Sequence, residues 1–103
     1  MKARAEVELI LQPPDGEVMP LLVVNTGGFT CPPFSFVAIL RGPEGYIRPV
    51  KFESTIDMKP GDKFRFDLRL RENEQLTVKF DRNVELFFKD EPAENNMIIF
   101  PKS

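Results

Sequence analysis

The sequence contains no histidine and only one cysteine, Cys31. Without histidine the chain lacks the commonest general base near neutral pH and the most frequent metal ligand. A lone cysteine forms neither an internal disulfide nor a zinc site, and no histidine is present to activate it as a nucleophile. Cys31, followed by two prolines, is expected to be a partly buried small apolar residue. The composition predicts a protein that is not an enzyme and holds no metal or cofactor.

Long apolar runs and a basic patch are also missing. No run approaches the roughly 20 residues that a membrane-spanning helix needs, so no membrane insertion is predicted. The net charge is −2, and the basic residues between Lys63 and Arg71 are interleaved with acidic ones. Nucleic-acid binding draws on a basic patch, so no nucleic-acid partner is expected. The first eight residues are not typical of a signal peptide, and a single cysteine suits a reducing compartment and an exported domain alike.

What the sequence has is a repeated alternation of apolar and polar residues, which indicates β-strands. Turn-forming groups of Gly, Pro, Asn and Asp separate about eight short runs, which predicts an all-β fold that is either a sandwich or a small barrel. Of the two we favour an immunoglobulin-like antiparallel sandwich of about seven to eight strands. The length of 103 residues fits one domain, spanning residues 1–103. The predicted runs are Ala5 to Leu11, Leu21 to Val24, Phe34 to Arg41, Tyr46 to Lys51, Phe52 to Met58, Lys63 to Arg71, Gln75 to Phe80, Val84 to Lys89 and Met97 to Phe100.

Individual runs carry further expectations. Both faces of Phe34 to Arg41 are largely apolar, which predicts a central strand. Pro49 cannot donate to a ladder, so Tyr46 to Lys51 is predicted to be an edge strand. Gly61 in the segment 59–62 suits a type II turn. Gly27 and Gly28 are expected in a connection between the sheets that requires positive φ.

The loop from Asp90 to Asn96 is the one group of oxygen-bearing side chains that could suit Ca²⁺. Its spacing matches no EF-hand, and Pro92 interrupts it. We therefore interpret the loop as a solvated turn in which Asn95 or Asn96 caps a reversal or is left-handed. All carboxylates are expected on solvent-facing strand positions or in turns, which leaves no candidate acid–base pair.

Several turn-bearing segments together resemble the cell-adhesion-related domain of bacteria and archaea (CARDB). They are Val24-Asn25-Thr26-Gly27, Phe34 with Val37 and Leu40, the stretch from Ile56 to Asp62, and Glu94-Asn95-Asn96 before the last strand. The resemblance covers roughly residues 5 to 100. It implies an immunoglobulin-like sandwich that occurs as an extracytoplasmic repeat or spacer without enzymatic activity, and it carries over no catalytic or ligand residues.

Two functions follow as hypotheses. The first is a non-catalytic interaction or spacer module within a larger extracytoplasmic or surface protein, with a protein partner or a neighbouring domain. The second is a small structural protein, cytoplasmic or in a virion, that forms a homo-oligomer through strand edges or sheet faces. The candidate partner-binding residues are Phe29 in the loop 25–33, Tyr46 at the predicted edge, and Phe87 and Ile98, which are apolar where alternation predicts solvent.

Overall fold

The computed structural model describes residues 4–100 of the chain, and this part is almost entirely β-structure. It contains nine strands and one single-turn 3-10 helix, Glu94–Asn96. The strands are β1 (Ala5–Leu11), β2 (Val18–Asn25), β3 (Ser35–Arg41), β4 (Ile47–Glu53), β5 (Lys63–Arg69), β6 (Gln75–Phe80), β7 (Val84–Phe88), β8 (Glu91–Pro92) and β9 (Met97–Phe100).

The strands form two packed sheets, which confirms the predicted all-β sandwich. One sheet has the order β5-β2-β1-β7-β8 and the other the order β4-β3-β6-β9. All neighbouring pairs are antiparallel except β1 and β7, which run parallel. The structure has one strand more than the seven or eight predicted, and the strand that was not predicted is the two-residue β8.

The core lies between the two sheets and is built by the alternation visible in the sequence. In β1 the side chains of Ala5, Val7 and Leu9 are buried, while Glu6 is exposed. Phenylalanine rings fill the centre of the sandwich. The ring of Phe36 stacks on that of Phe80 at a centroid distance of 4.5 Å and meets the edge of Phe66 at 5.0 Å. Such offset and edge-to-face contacts stabilise aromatic clusters beyond the area that they bury.

Two predicted strand positions are confirmed. Strand β3 lies between β4 and β6, with one face in the core and the other partly covered. Strand β4, which carries Pro49, lies at the edge of its sheet. An edge strand pairs on one side only, so a proline, which has no N–H, is tolerated there without loss of a hydrogen bond inside the sheet.

The predicted strand from Phe52 to Met58 is wrong beyond Glu53. Strand β4 ends there, and residues 54–62 cross from one sheet to the other. Ile56 is 64% exposed, whereas Met58 is buried and pairs with Cys31 in an isolated bridge. Period-two alternation describes any extended segment, so it does not distinguish a strand from an extended connection between sheets. The turn that closes this connection is as predicted, with Gly61 at φ 88° and a 2.9 Å hydrogen bond from the Asp62 N–H to the Lys59 carbonyl.

The prediction that Gly27 and Gly28 require a positive φ is wrong. Neither Gly27 nor Gly28 has a positive φ. A Cβ on Gly27 would lie 3.2 Å from the backbone nitrogen of Glu6 in β1. Gly27 is therefore small because two backbone segments approach each other, and not because the turn is left-handed.

Asn25 holds the same end of the sandwich together, although it is only 1% exposed. Its Nδ2 donates to the carbonyls of Phe29 at 2.8 Å and Met58 at 2.9 Å. Its Oδ1 accepts from the N–H of Gly27 at 3.0 Å. One buried amide thus joins strand β2, the loop after it and the connection between the sheets, with all of its polar atoms hydrogen-bonded.

Candidate interaction surfaces

The outer face of the four-stranded sheet is apolar at its centre and carries cations around it. The strand register places Pro49, Ile39, Thr77 and Ile99 in one row across all four strands. Ile47 and Ile99 are 59% and 43% exposed. We call this surface the basic face; its other members are Val37 and Met97, the cations Arg41, Lys51 and Lys79, and Glu53, which is paired with Lys51 at 2.9 Å.

The outer face of the five-stranded sheet carries charges of both signs, with its cations on β5 beside Asp67 and the other carboxylates on β1 and β7. Basic side chains point outward from the edge strand β5, and carboxylates point outward from β1 and β7. Between these charged groups lies an apolar strip in the centre of the sheet. We call this surface the two-sign face; it comprises Lys63, Arg65, Asp67 and Arg69, the carboxylates Glu6, Glu8 and Glu85, and the apolar Leu22, Val24, Ile10 and Phe87.

The predicted partner-binding residues lie in separate places and form no single site. Phe29, 57% exposed, lies in the loop between β2 and β3 at one end of the sandwich. Tyr46 lies in the turn before β4 at the other end, where its hydroxyl donates to Glu74 at 3.1 Å. Phe87 lies half-buried on the two-sign face. A role for these three residues in partner binding stays a prediction.

Ile98 does not lie where it was predicted. It is 6% exposed and belongs to the core. Its neighbours Met97 and Ile99 occupy the outer face instead. Both faces of this short strand are apolar, so the sequence pattern does not fix which side is buried. The register with β6 does, because Ile98 pairs with the buried Val78.

Glu74 carries a buried carboxylate, although its position was predicted to face solvent. Its side chain is inaccessible to solvent, and Arg48 Nη2 lies 2.7 Å from its Oε1. The backbone N–H of Arg71 donates to the same oxygen at 2.6 Å, while Arg48 Nε and Tyr46 donate to Oε2. Burial alone would raise the pKa of this carboxyl, but the hydrogen bonds from Arg48, Arg71 and Tyr46 outweigh it and lower the pKa. The group therefore serves as a structural anion.

Cys31 is fully buried, more deeply than the partial burial that was predicted, and it is held by backbone hydrogen bonds to Met58. Burial, together with the nearby carboxylates of Asp81 and Asp57, raises the pKa of its thiol to about 11. A thiol in this state is not activated as a nucleophile.

The acidic loop is organised around an asparagine side chain. Asn95 and Asn96 both have positive φ, as predicted for a reversal. Asn96 Nδ2 donates to the carbonyls of Asp81 at 2.9 Å and Val84 at 2.7 Å, and its Oδ1 accepts from the Leu86 N–H. These bonds use the amide to fasten the loop to β7. Within residues 4–100, no group of three or more Asp, Glu or Cys side chains is arranged to hold a metal ion.

We expect millimolar Ca²⁺ to leave the stability of the domain unchanged. Hard-cation sites draw on six to eight oxygen ligands, and the loop from Asp90 to Asn96 does not converge its carboxylates on one point. Thermal melts in EDTA and in several millimolar CaCl₂ should therefore coincide. A melting temperature that rises with Ca²⁺, and not with the same ionic strength of NaCl, would contradict this expectation.

In the described part of the chain, no helix has the length and apolar character to cross a membrane. Comparison of the chain with known protein families, with curated proteins and with solved structures finds no match.

Proposed function

We propose that this domain is a non-catalytic interaction or spacer module of immunoglobulin-like type, part of a larger extracytoplasmic or surface protein. The observation that carries the proposal is the path of the chain. Strand β1 begins beside the start of β7, at the end of the sandwich held by Asn25. Strand β9 ends beside the start of β6, at the opposite end, where Glu74 lies. Within the described residues, the first strand thus begins at one end of a body of 44 × 25 × 22 Å and the last strand ends at the other.

The strand order supports the immunoglobulin-like part of the proposal. Immunoglobulin sandwiches place strands A, B and E in one sheet and C, F and G in the other, with C′ beside C in some types. Here β1, β2 and β5 occupy the positions of A, B and E, and β3, β4, β6 and β9 those of C, C′, F and G. The departure is the hairpin of β7 and β8, which is inserted before the last strand and extends the other sheet.

The apolar side chains on the basic face support the interaction part. The row is interrupted at Thr77, which is polar and 7% exposed, but its apolar members Pro49, Ile39 and Ile99 lie on a face rimmed by charged groups, and exposed apolar surface of this kind marks interaction sites. Its three cations, with only Glu53 of opposite sign, favour a partner surface or neighbouring domain that carries carboxylates around an apolar centre.

The spacer proposal predicts the length of two copies joined in tandem. With a linker of two residues, small-angle X-ray scattering should give a maximum dimension close to twice the 44 Å of one domain, because each copy leaves at the end opposite to its entry. The matched control joins the same copies by about 20 Gly/Ser residues, which behave as a flexible coil and should broaden the distance distribution. A short-linker tandem that folds back side by side, with a dimension near that of one copy, would exclude the spacer role.

The second candidate is the small structural protein that self-assembles, in the cytoplasm or in a virion. The two-sign face favours it, because that face offers both an apolar centre and charges of opposite sign to another copy. Assembly through a free edge is a weaker form of this candidate, because Pro49 interrupts β4, cations lie along β5, and β8 and β9 are only two and four residues long.

A further inference from the structure

We propose that a second copy of this chain docks on the two-sign face, giving a two-fold symmetric dimer in which Lys63 of each copy enters an acidic depression of the other. The inference rests on the self-association candidate above and identifies its surface. Three features of the face lead to it: the order of its charges, the position of its apolar strip and the depression itself.

The strand register places the relevant residues in one row. Lys63 pairs with Val24, Val24 with Glu8, and Glu8 with Phe87. All four side chains point outward, because the residues next to them in β2, β1 and β7 are buried. The row therefore runs from a cation through an apolar residue and a carboxylate to an aromatic ring.

A two-fold axis that runs along the strands, between β2 and β1, makes this row complementary to itself. Such an axis exchanges β5 with β7 and β2 with β1 of the other copy. Lys63 then faces Phe87 of the other copy and lies beside its Glu8. In the next row, Leu22 faces Ile10 of the other copy, so apolar side chains meet at the centre of that row, whereas Val24 faces Glu8 of the other copy in the Lys63 row. Interfaces of this isologous kind are the commonest in homo-oligomers.

The depression lies where this symmetry places the lysine. It has a volume of about 190 Å³ and is lined by Phe87, Thr26 and the carboxyl-bearing residues Glu6, Glu8 and Asp90. None of these three carboxylates has an ion-pair partner within 4.0 Å among residues 4–100. A lysine there gains opposite charges and the face of an aromatic ring, which attracts cations.

The basic face is less suited to a second copy of itself. Its charges are Arg41, Lys51 and Lys79, with one carboxylate that is already paired, so two such faces would repel each other.

The two-sign face is small, however. Four strand spacings of about 4.8 Å and strands of about 23 Å give roughly 440 Å² for each copy. Because stable interfaces bury about 800 Å² per partner, we expect a weak dimer that forms only at high protein concentration.

Sedimentation equilibrium over about 10 µM to 1 mM tests the dimer. We expect association in about 50 mM salt that weakens at least tenfold in about 500 mM salt, because exposed charges are screened. Glu8→Lys and Lys63→Glu should each weaken it at least tenfold, since every reversal acts twice in a symmetric interface. An equimolar mixture of the two variants should recover the affinity, because each altered residue then meets an opposite charge.

Lys79→Glu is the matched control, since it makes the same charge change as Lys63→Glu but on the basic face. It should leave the dissociation constant unchanged. A chain that is monomeric at 1 mM in low salt overturns the proposal, as does a dimer that responds to Lys79→Glu and not to Lys63→Glu, or a mixture that fails to associate. The spacer proposal does not depend on these results, because the length of the tandem decides it separately.

Discussion

Replacing Asn25 with alanine is expected to lower the free energy of unfolding by roughly 3 kcal/mol. Three side-chain hydrogen bonds are lost, each with a net value of about 1 kcal/mol, and the buried polar groups left without a partner add to the cost. These groups are the carbonyls of Phe29 and Met58 and the N–H of Gly27. A domain of this size loses about 4–8 °C of melting temperature for each kcal/mol, so the variant should melt roughly 12–24 °C lower.

Urea unfolding and thermal melts of the two forms measure this effect. The control is Asn83→Ala, because Asn83 is exposed and takes part through its backbone N–H, which donates to Asp81 at 2.8 Å. Its melting temperature should stay within about 2 °C of the parent, as is usual for a surface substitution. An Asn25→Ala protein that also melts within that margin would show that water replaces the lost donors, and that the amide does not hold this end of the sandwich.

Much of the sandwich could be predicted because, in a two-layer β-fold, the apolar side chains that alternate along a strand are the ones that face the core. Where one face of a strand is polar, as in β1 and β5, the pattern identifies the buried side directly. Where both faces are apolar, as in β9, it does not, and Ile98 was assigned to the wrong side. The pattern also continues through the crossing segment after Glu53, since an extended backbone alternates its side chains whether or not it is paired.

The buried carboxylate was missed for a different reason. Glu74 follows the turn residues Arg71 to Asn73 in the sequence, a setting typical of solvated acids. Glu74 is buried by contacts with Arg48 and Tyr46, which belong to another hairpin and lie 26 and 28 positions away in the sequence. No local pattern contains that contact. By contrast, Asn25 lies in the turn-bearing segment that carries the family resemblance, although its burial and its bonds became visible only in the structure.

Glu74→Gln is expected to destabilise the domain at neutral pH by roughly 1.5–3 kcal/mol, the range for hydrogen bonds to charged groups. The substitution keeps the shape of the side chain but removes the negative charge to which Arg48 donates hydrogen bonds through Nη2 and Nε. Arg48 also donates to the Arg69 carbonyl at 2.9 Å, so the pair links β4 to the end of β5 in the other sheet. Loss of the charge weakens that link between the two sheets at the end opposite Asn25.

The pH dependence of this effect has a definite sign. The pKa of Glu74 is lowered in the folded protein, so its charged form stabilises the fold above the ordinary glutamate pKa of 4.5, and this stability is lost as the pH falls through the folded value. The difference in unfolding free energy between the parent and Glu74→Gln should therefore narrow as the pH is lowered from about 7 toward about 3. Glu72→Gln, an exposed neighbour, serves as the control and should follow the parent throughout. A gap between the parent and Glu74→Gln that stays constant from neutral to acid pH would mean that shape, and not the charge of Glu74, stabilises this end of the sandwich.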